Sequence, residues 1–262
     1  GYSETARATD AAGNTYFVKW IKGTRKDSPA SRMFADKLRR LQGLQQSGLP
    51  RIYHYGFDPE KQAFCTVMEC LEGMEPLNAK WHSLSLDEVL QGCLLLCERL
   101  DALSSQHAIA HGDLNPENIL VEPKSGSWYL IDFSLSDLTA TLSQQADLQI
   151  YAAGFAAPEK LGLCKPGFPF HADIFSVGRL VAVWLELREK HAEPKLQQWL
   201  DRATQKEPTK RFLNYKACIS DLQYALQEAA ETLARILNVT GEDIQNVETF
   251  ASVIVRLGNN AA

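Results

Sequence analysis

Hydrophobic and polar residues alternate through residues 1–22 and lead into TYFVKWIK, whose β-branched and aromatic side chains predict a strand. Ser28 and Pro29 then read as a helix start, with the serine as N-cap and the proline at the first helical position, where a missing N–H does no harm. Behind them Met33, Phe34, Leu38, Leu41 and Leu44 recur near helical spacing and predict an amphipathic helix that Ser47-Gly48 ends. RIYHYGF and AFCTVMEC are strand candidates around an Asp58-Pro59 turn. This succession predicts a small sheet packed on one helix.

From Leu84 onward the period changes. LSLDEVLQGCLLLCERLDALSSQ reads as a long amphipathic helix, with Ser85 as N-cap and Glu88 completing a capping box. Two short strands, NILVEP and SWYLIDF, follow around a glycine-containing turn. The rest is mainly helical: ADIFSVGRLVAVWLEL, PKLQQWLDRATQ and a tail from Ile219 to Leu237. The tail carries no unusual apolar stripe, so core packing is its default role, whereas VETFASVIVRL fits a partner surface or a linker. No internal repeat is present. The layout is a β-rich domain over 1–70 and a larger helical one over 71–262 that includes a C-terminal helical extension, joined near Glu69–Gly73.

Composition narrows the function classes. A net charge of −5 over 262 residues gives no basic surface for nucleic acid. No apolar run is long enough to span a bilayer, and the polar start has no signal-peptide core. The six cysteines form no C-x-x-C pair, and Cys93 and Cys97 lie four apart, a helix-face spacing. Reduced core thiols in a cytoplasmic protein account for them better than a metal site does.

Chemistry concentrates in a few segments. HGDLNPENILV (111–121) matches H-x-D-L-x-x-x-N, and LIDFS (130–134), AAPEKL (156–161), Lys19 in FVKWI and DIFSVG (173–178) accompany it. In this order and at these separations the chain resembles the protein kinase family over nearly its whole length. The resemblance implies an α+β, bilobal protein-kinase-like fold with a small β-rich N-lobe and a larger, mainly helical C-lobe. It also implies ATP and Mg²⁺ as cofactors, and a protein substrate or protein binding partner. Phosphoryl transfer needs positioning and charge neutralisation more than covalent chemistry. By resemblance, Lys19 meets the α and β phosphates, Asp132 and Asn118 hold Mg²⁺ through oxygen, and Asp113 takes the acceptor hydroxyl's proton. Asn115 stands where many such kinases have a lysine near the transferred phosphate. Met68 sets the depth of the adenine pocket, Glu69, Cys70 and Leu71 form the hinge, and Phe17 and Leu120 complete the nucleotide contacts. His111 is a packing residue beneath the site, Asp173 braces the catalytic loop, and Glu159 pairs with Arg211.

The departures matter as much. The phosphate-covering glycine loop is reduced to GYSET, with Ser3 in the place of its last glycine and the first glycines expected upstream. Phe17 replaces a small residue two positions before Lys19, hence on the same strand face, where its ring could fill the adenine pocket. The helix position that normally offers a glutamate to the strand lysine carries Lys37, with Asp36 beside it. Gly112 replaces an arginine that receives an activation-loop phosphate, which makes switching at Thr139 or Thr141 unexpected. Ser134 and Ala152 replace a glycine and an acceptor-placing threonine, and the stretch from Leu187 to Lys195 leaves little room for a substrate-docking helix. The readings are a serine/threonine protein kinase first, a pseudokinase serving as a binding or scaffolding module second, and a small-molecule kinase of the aminoglycoside phosphotransferase type third.

Overall fold

A computed structural model describes residues 3–26, 28–44, 48–133 and 154–237. They form two compact units: the residues up to Glu75 together with Asn118–Phe133, and Pro76–Glu117 together with residues 154–237.

In the first unit, β1 (Ser3–Thr9), β2 (Thr15–Lys22), β3 (Ile52–Asp58) and β4 (Ala63–Glu69) form an antiparallel sheet in the order β1-β2-β4-β3. β1 pairs with β2 along its entire length although its side chains are mostly exposed. An edge strand with two wet faces buries neither set of its alternating residues, so SETARAT gives little sign of itself. Helix α1 (Pro29–Gln42) begins as expected, with the Ser28 hydroxyl accepting from the Ser31 N–H and Pro29 in the first turn. Phe34, Leu38 and Leu41 are buried, and Phe34 meets Phe64 of β4 at 4.9 Å between ring centroids. Met33 is 62% exposed instead of facing the core, because one residue along a helix rotates the side chain by about 100° away from Phe34. The helix also stops sooner than expected: Gly43 is its C-cap, Leu44 lies past it, and Ser47 falls outside the described residues. The Asp58 carboxylate closes the β3–β4 turn by accepting the N–H groups of Glu60 and Lys61. The two-residue β5 (Glu75–Pro76) lies where the unit ends. The hairpin β6 (Ile119–Val121) and β7 (Trp128–Leu130) is tied to the segment after α1 by the Leu130 N–H, which donates to the Gly48 carbonyl at 2.9 Å.

The second unit is helical: α2 (Leu77–Lys80), α3 (Leu86–His107), α4 (Pro169–Glu186), α5 (Pro194–Ala203) and α6 (Tyr215–Leu237). α3 starts on the predicted capping box, with the Ser85 hydroxyl accepting the Glu88 N–H and the Glu88 carboxylate accepting the Ser85 N–H. α3 packs on α4 and α6, and α5 on α4 and α6. Cys93, Cys97 and Cys218 are buried in this core, and none of the six cysteines forms a disulfide. Residues 187–193 connect α4 to α5 without a helix, which agrees with the shortness read there.

Glu159 and Arg211 form the expected buried pair through two parallel bonds of 2.7 and 2.8 Å. Arg211 also donates to the carbonyls of Gln205, His171 and Lys206, so all of its N–H donors are engaged. His171, in the first turn of α4, accepts the Phe168 N–H through Nδ1. Burial and the neighbouring Arg211 charge hold its imidazole below the ordinary value of 6.5, partly offset by Glu159. The folded chain therefore resists a proton that the unfolded chain binds, and stability is lost as pH falls from about 6.5 through the folded value. Melting temperature should fall between about pH 7.5 and about pH 5.5, and fall less in a His171→Gln variant, because Gln carries no titrating proton. Equal falls would show that His171 is not the titrating group.

Candidate functional site

The pairing register of β2 decides what Lys19 faces. Lys19 lies opposite Thr66, and Phe17 opposite Met68 of β4. Directly paired residues project to one face, as do alternate residues along a strand. Phe17, Lys19, Ile21, Thr66 and Met68 therefore share a face. Lys19 is buried there, and its Nζ donates to Asp132 Oδ2 at 2.7 Å, across 113 residues of sequence. The pair sits in a cavity of roughly 560 Å³, counted out to its open mouth, whose walls include Ile21, Leu38, Leu41 and Met68. Phe17 is half-buried on that face but is not among the residues lining the cavity.

Asp132 follows the exit from β7 with φ of +63°, a left-handed conformation that few non-glycine residues adopt and that aspartate tolerates better than most. The Ile131 N–H donates to the Asn118 carbonyl at 3.0 Å, continuing the β6–β7 ladder by one pair. That bond brings Asn118, itself buried, beside the Asp132 end of the hairpin. Asp36 stays away from Lys19: it pairs with Arg39 and Arg40 on the exposed side of α1, while Lys37 is buried. The anionic partner of Lys19 is thus Asp132 rather than a helix carboxylate. Glu69, at the end of β4, donates its N–H to the Arg51 carbonyl at 2.8 Å, and its exposed side chain accepts the Arg51 N–H at 3.1 Å. Leu71 and Leu120 are half-buried in the same unit.

The second unit holds the HGDLN loop. His111 and Asp173 are fully buried. Asp173 Oδ2 accepts the His111 N–H at 2.8 Å and Oδ1 accepts the Gly112 N–H at 2.6 Å, which clamps the loop from α4. Asp173 Oδ2 also accepts the Tyr215 hydroxyl at 2.8 Å, a contact with no sequence signal because the two residues lie 42 apart. His111 Nδ1 accepts the Asp113 N–H, so the imidazole supports the loop backbone. Asn115 turns its side chain into the loop: Nδ2 donates to the Asp113 carbonyl and Oδ1 accepts the Glu117 N–H. Both ends of the amide that was expected beside the transferred phosphate are thereby bonded to backbone. Ser134, Thr139, Thr141 and Ala152 fall outside the described residues.

The donor chemistry around Asp132 suits magnesium. Mg²⁺ is typically held by one or two protein oxygens together with nucleotide phosphates, and Asp132 and Asn118 offer a carboxylate and an amide oxygen. Among the described residues there is no group of three or more His, Cys, Asp or Glu that could enclose a metal ion unaided.

The clamped H-x-D loop, the strand lysine paired with an aspartate after a short hairpin, and the buried glutamate–arginine pair accompany an α+β architecture. The chain belongs to the protein kinase family, whose protein kinase domain model matches residues 1–242. It is 25% identical over 260 residues to serine/threonine-protein kinase C of Synechocystis sp., covering 85% of this chain and 47% of that protein. It is 32% identical over 139 residues to myosin light chain kinase 3 of Rattus norvegicus, covering 51% of this chain and 17% of that protein. The chain thus spans less than half the length of these curated relatives. Among solved structures, the kinase domain of maize SIRK1 (sucrose-induced receptor kinase 1), bound to AMP-PNP, is similar at a TM-score of 0.64 and 19% identity, over 85% of this chain and 92% of that one. The small sheet with its helix and the helical unit are therefore those of the bilobal protein kinase fold.

Proposed function

We propose that this chain is an ATP-dependent phosphotransferase that acts on serine or threonine hydroxyls of proteins, with 1–70 as its N-lobe and 71–262 as its C-lobe. The observation that carries this reading is the part-buried Lys19–Asp132 pair at 2.7 Å, which in this reading puts a phosphate-binding cation against a metal-binding carboxylate. In this reading Lys19 binds the α and β phosphates, and Asp132 and Asn118 hold the magnesium. Bound Mg-ATP supplies the phosphoryl group and neutralises part of its charge. Met68, Glu69, Leu71, Leu120 and Phe17 surround the adenine. Asp113 orients the acceptor hydroxyl and takes its proton, with its backbone fixed by His111 and Asn115. That the maize SIRK1 kinase domain of similar fold was solved bound to AMP-PNP supports nucleotide binding here. Among the described residues no helix is long and apolar enough to cross a membrane, and a cytoplasmic setting suits the free thiols.

One observation favours a second reading, a pseudokinase that binds partners without transfer: Lys37 stands where the helix carboxylate belongs, and it is buried. The Glu159–Arg211 pair weighs against an aminoglycoside-type small-molecule kinase, because it belongs to the protein kinase helical unit. The deciding experiment is transfer of labelled phosphate from ATP to a panel of proteins, with aminoglycosides and choline as competing acceptors. Label on protein hydroxyls supports the proposal. Label on small molecules alone, or on nothing, overturns it.

Phe17 gives a separate expectation. If its ring crowds adenine, Phe17→Ala raises nucleotide affinity, by about tenfold if a few ångströms of overpacking are relieved. Titration of both chains with Mg-AMP-PNP measures it. Unchanged or weaker binding would refute the crowding.

A further inference from the structure

The geometry points to Tyr215, the first residue of α6, as a positioning residue for the HGDLN loop, acting through Asp173. This rests on the transferase reading and deepens it. Asp173 is a fully buried carboxylate at the start of α4. Its Oδ2 accepts two donors, the His111 N–H and the Tyr215 hydroxyl, each at 2.8 Å. Its Oδ1 accepts the Gly112 N–H at 2.6 Å. A buried carboxylate keeps its charge and its rotamer only where donors surround it. Tyr215 supplies one of those donors from a different helix. It thereby fixes the oxygen that holds His111, and His111 in turn holds the N–H of Asp113.

The surroundings make this a constrained contact. Tyr215 is 1% exposed, and its ring packs against Phe170 of α4 at 6.0 Å between centroids. Burial, with Asp173 adding to it, pushes the Tyr215 hydroxyl well above its ordinary value, so the group remains a protonated donor. The helix is held independently by the Trp199 indole N–H, which donates to the Cys218 carbonyl one turn further along α6. The hydroxyl is therefore separable from the packing of the helix.

The test compares Tyr215→Phe, which keeps the ring and removes the hydroxyl, with Trp199→Phe, which loosens α6 without touching Asp173. Amide hydrogen exchange is followed in the full chain alongside ATP-dependent transfer. In Tyr215→Phe, exchange at His111 and Gly112 should speed up by about tenfold relative to the amides of α4 and α5, as loss of one charge-assisted hydrogen bond implies. The kcat for transfer should fall by about tenfold, with KM for ATP within about twofold, since nucleotide binding does not involve Tyr215. Trp199→Phe should speed exchange across α5 and α6 and leave the His111 and Gly112 amides no faster than their neighbours. If Tyr215→Phe gives the same uniform pattern as Trp199→Phe, or leaves both loop amides and kcat unchanged, the positioning role is wrong. If the unaltered chain transfers nothing, the transferase reading fails, while the exchange comparison still decides whether Tyr215 holds the loop.

Discussion

Asp113→Asn is expected to slow phosphoryl transfer by about 10²- to 10⁴-fold while leaving the fold intact. Two bonds that hold the loop use the Asp113 backbone: its N–H donates to His111 and its carbonyl accepts from Asn115. Asparagine keeps both, and nearly the same volume, but cannot take a proton from an acceptor hydroxyl. The melting temperature of the variant should match that of the parent chain. Steady-state transfer and a thermal melt, run together, check both halves. A variant that transfers at the parental rate would remove Asp113 from the chemistry, and one that melts much lower would make the residue structural.

Glu159→Ala should lower folding stability by about 3–5 kcal/mol, read from the denaturant midpoint at unchanged slope. The magnitude follows from what is left behind. Arg211 is fully buried and bonds Glu159 through both Nη groups. Without the carboxylate, two charged N–H groups lose their acceptors where water does not reach. Arg211→Lys should also destabilise, because a single ammonium cannot reproduce the parallel pair or reach the Gln205, His171 and Lys206 carbonyls at once. A loss below about 1 kcal/mol for Glu159→Ala would mean that the guanidinium finds water or another acceptor.

The parts of this fold that were legible in the sequence are those governed by local rules. Ser28 with Pro29, and Ser85 with Glu88, announced their helices because capping is decided within one turn. The shared face of Phe17 and Lys19 followed from the two-residue period of a strand. The Glu159–Arg211 and Asp173–loop contacts were expected only because the ordered motifs resemble a family; nothing local ties residues 159 and 211. What stayed hidden has a physical cause in each case. β1 is an edge strand whose two faces are both largely exposed. Met33 belongs to the helical run of apolar residues yet falls on its outer side, since periodicity locates a face only to within one position. That Lys19 pairs with Asp132 and not with Asp36 depends on long-range packing, and Asp36 is held by Arg39 and Arg40. The amide of Asn115, which stands where many such kinases have a lysine, is bonded within its own loop. Tyr215 matched no motif at all.

The most direct test of the account is the binding of Mg-nucleotide to the cavity that holds Lys19 and Asp132. Melting temperature should be measured with millimolar ATP, with and without Mg²⁺, in the parent chain and in Asp132→Asn. The account predicts a rise with Mg-ATP in the parent, a smaller rise with ATP alone, and no metal-dependent increment in the variant, since a ligand stabilises the folded state in proportion to its binding. No rise in the parent, or an equal metal-dependent rise in both chains, would contradict it.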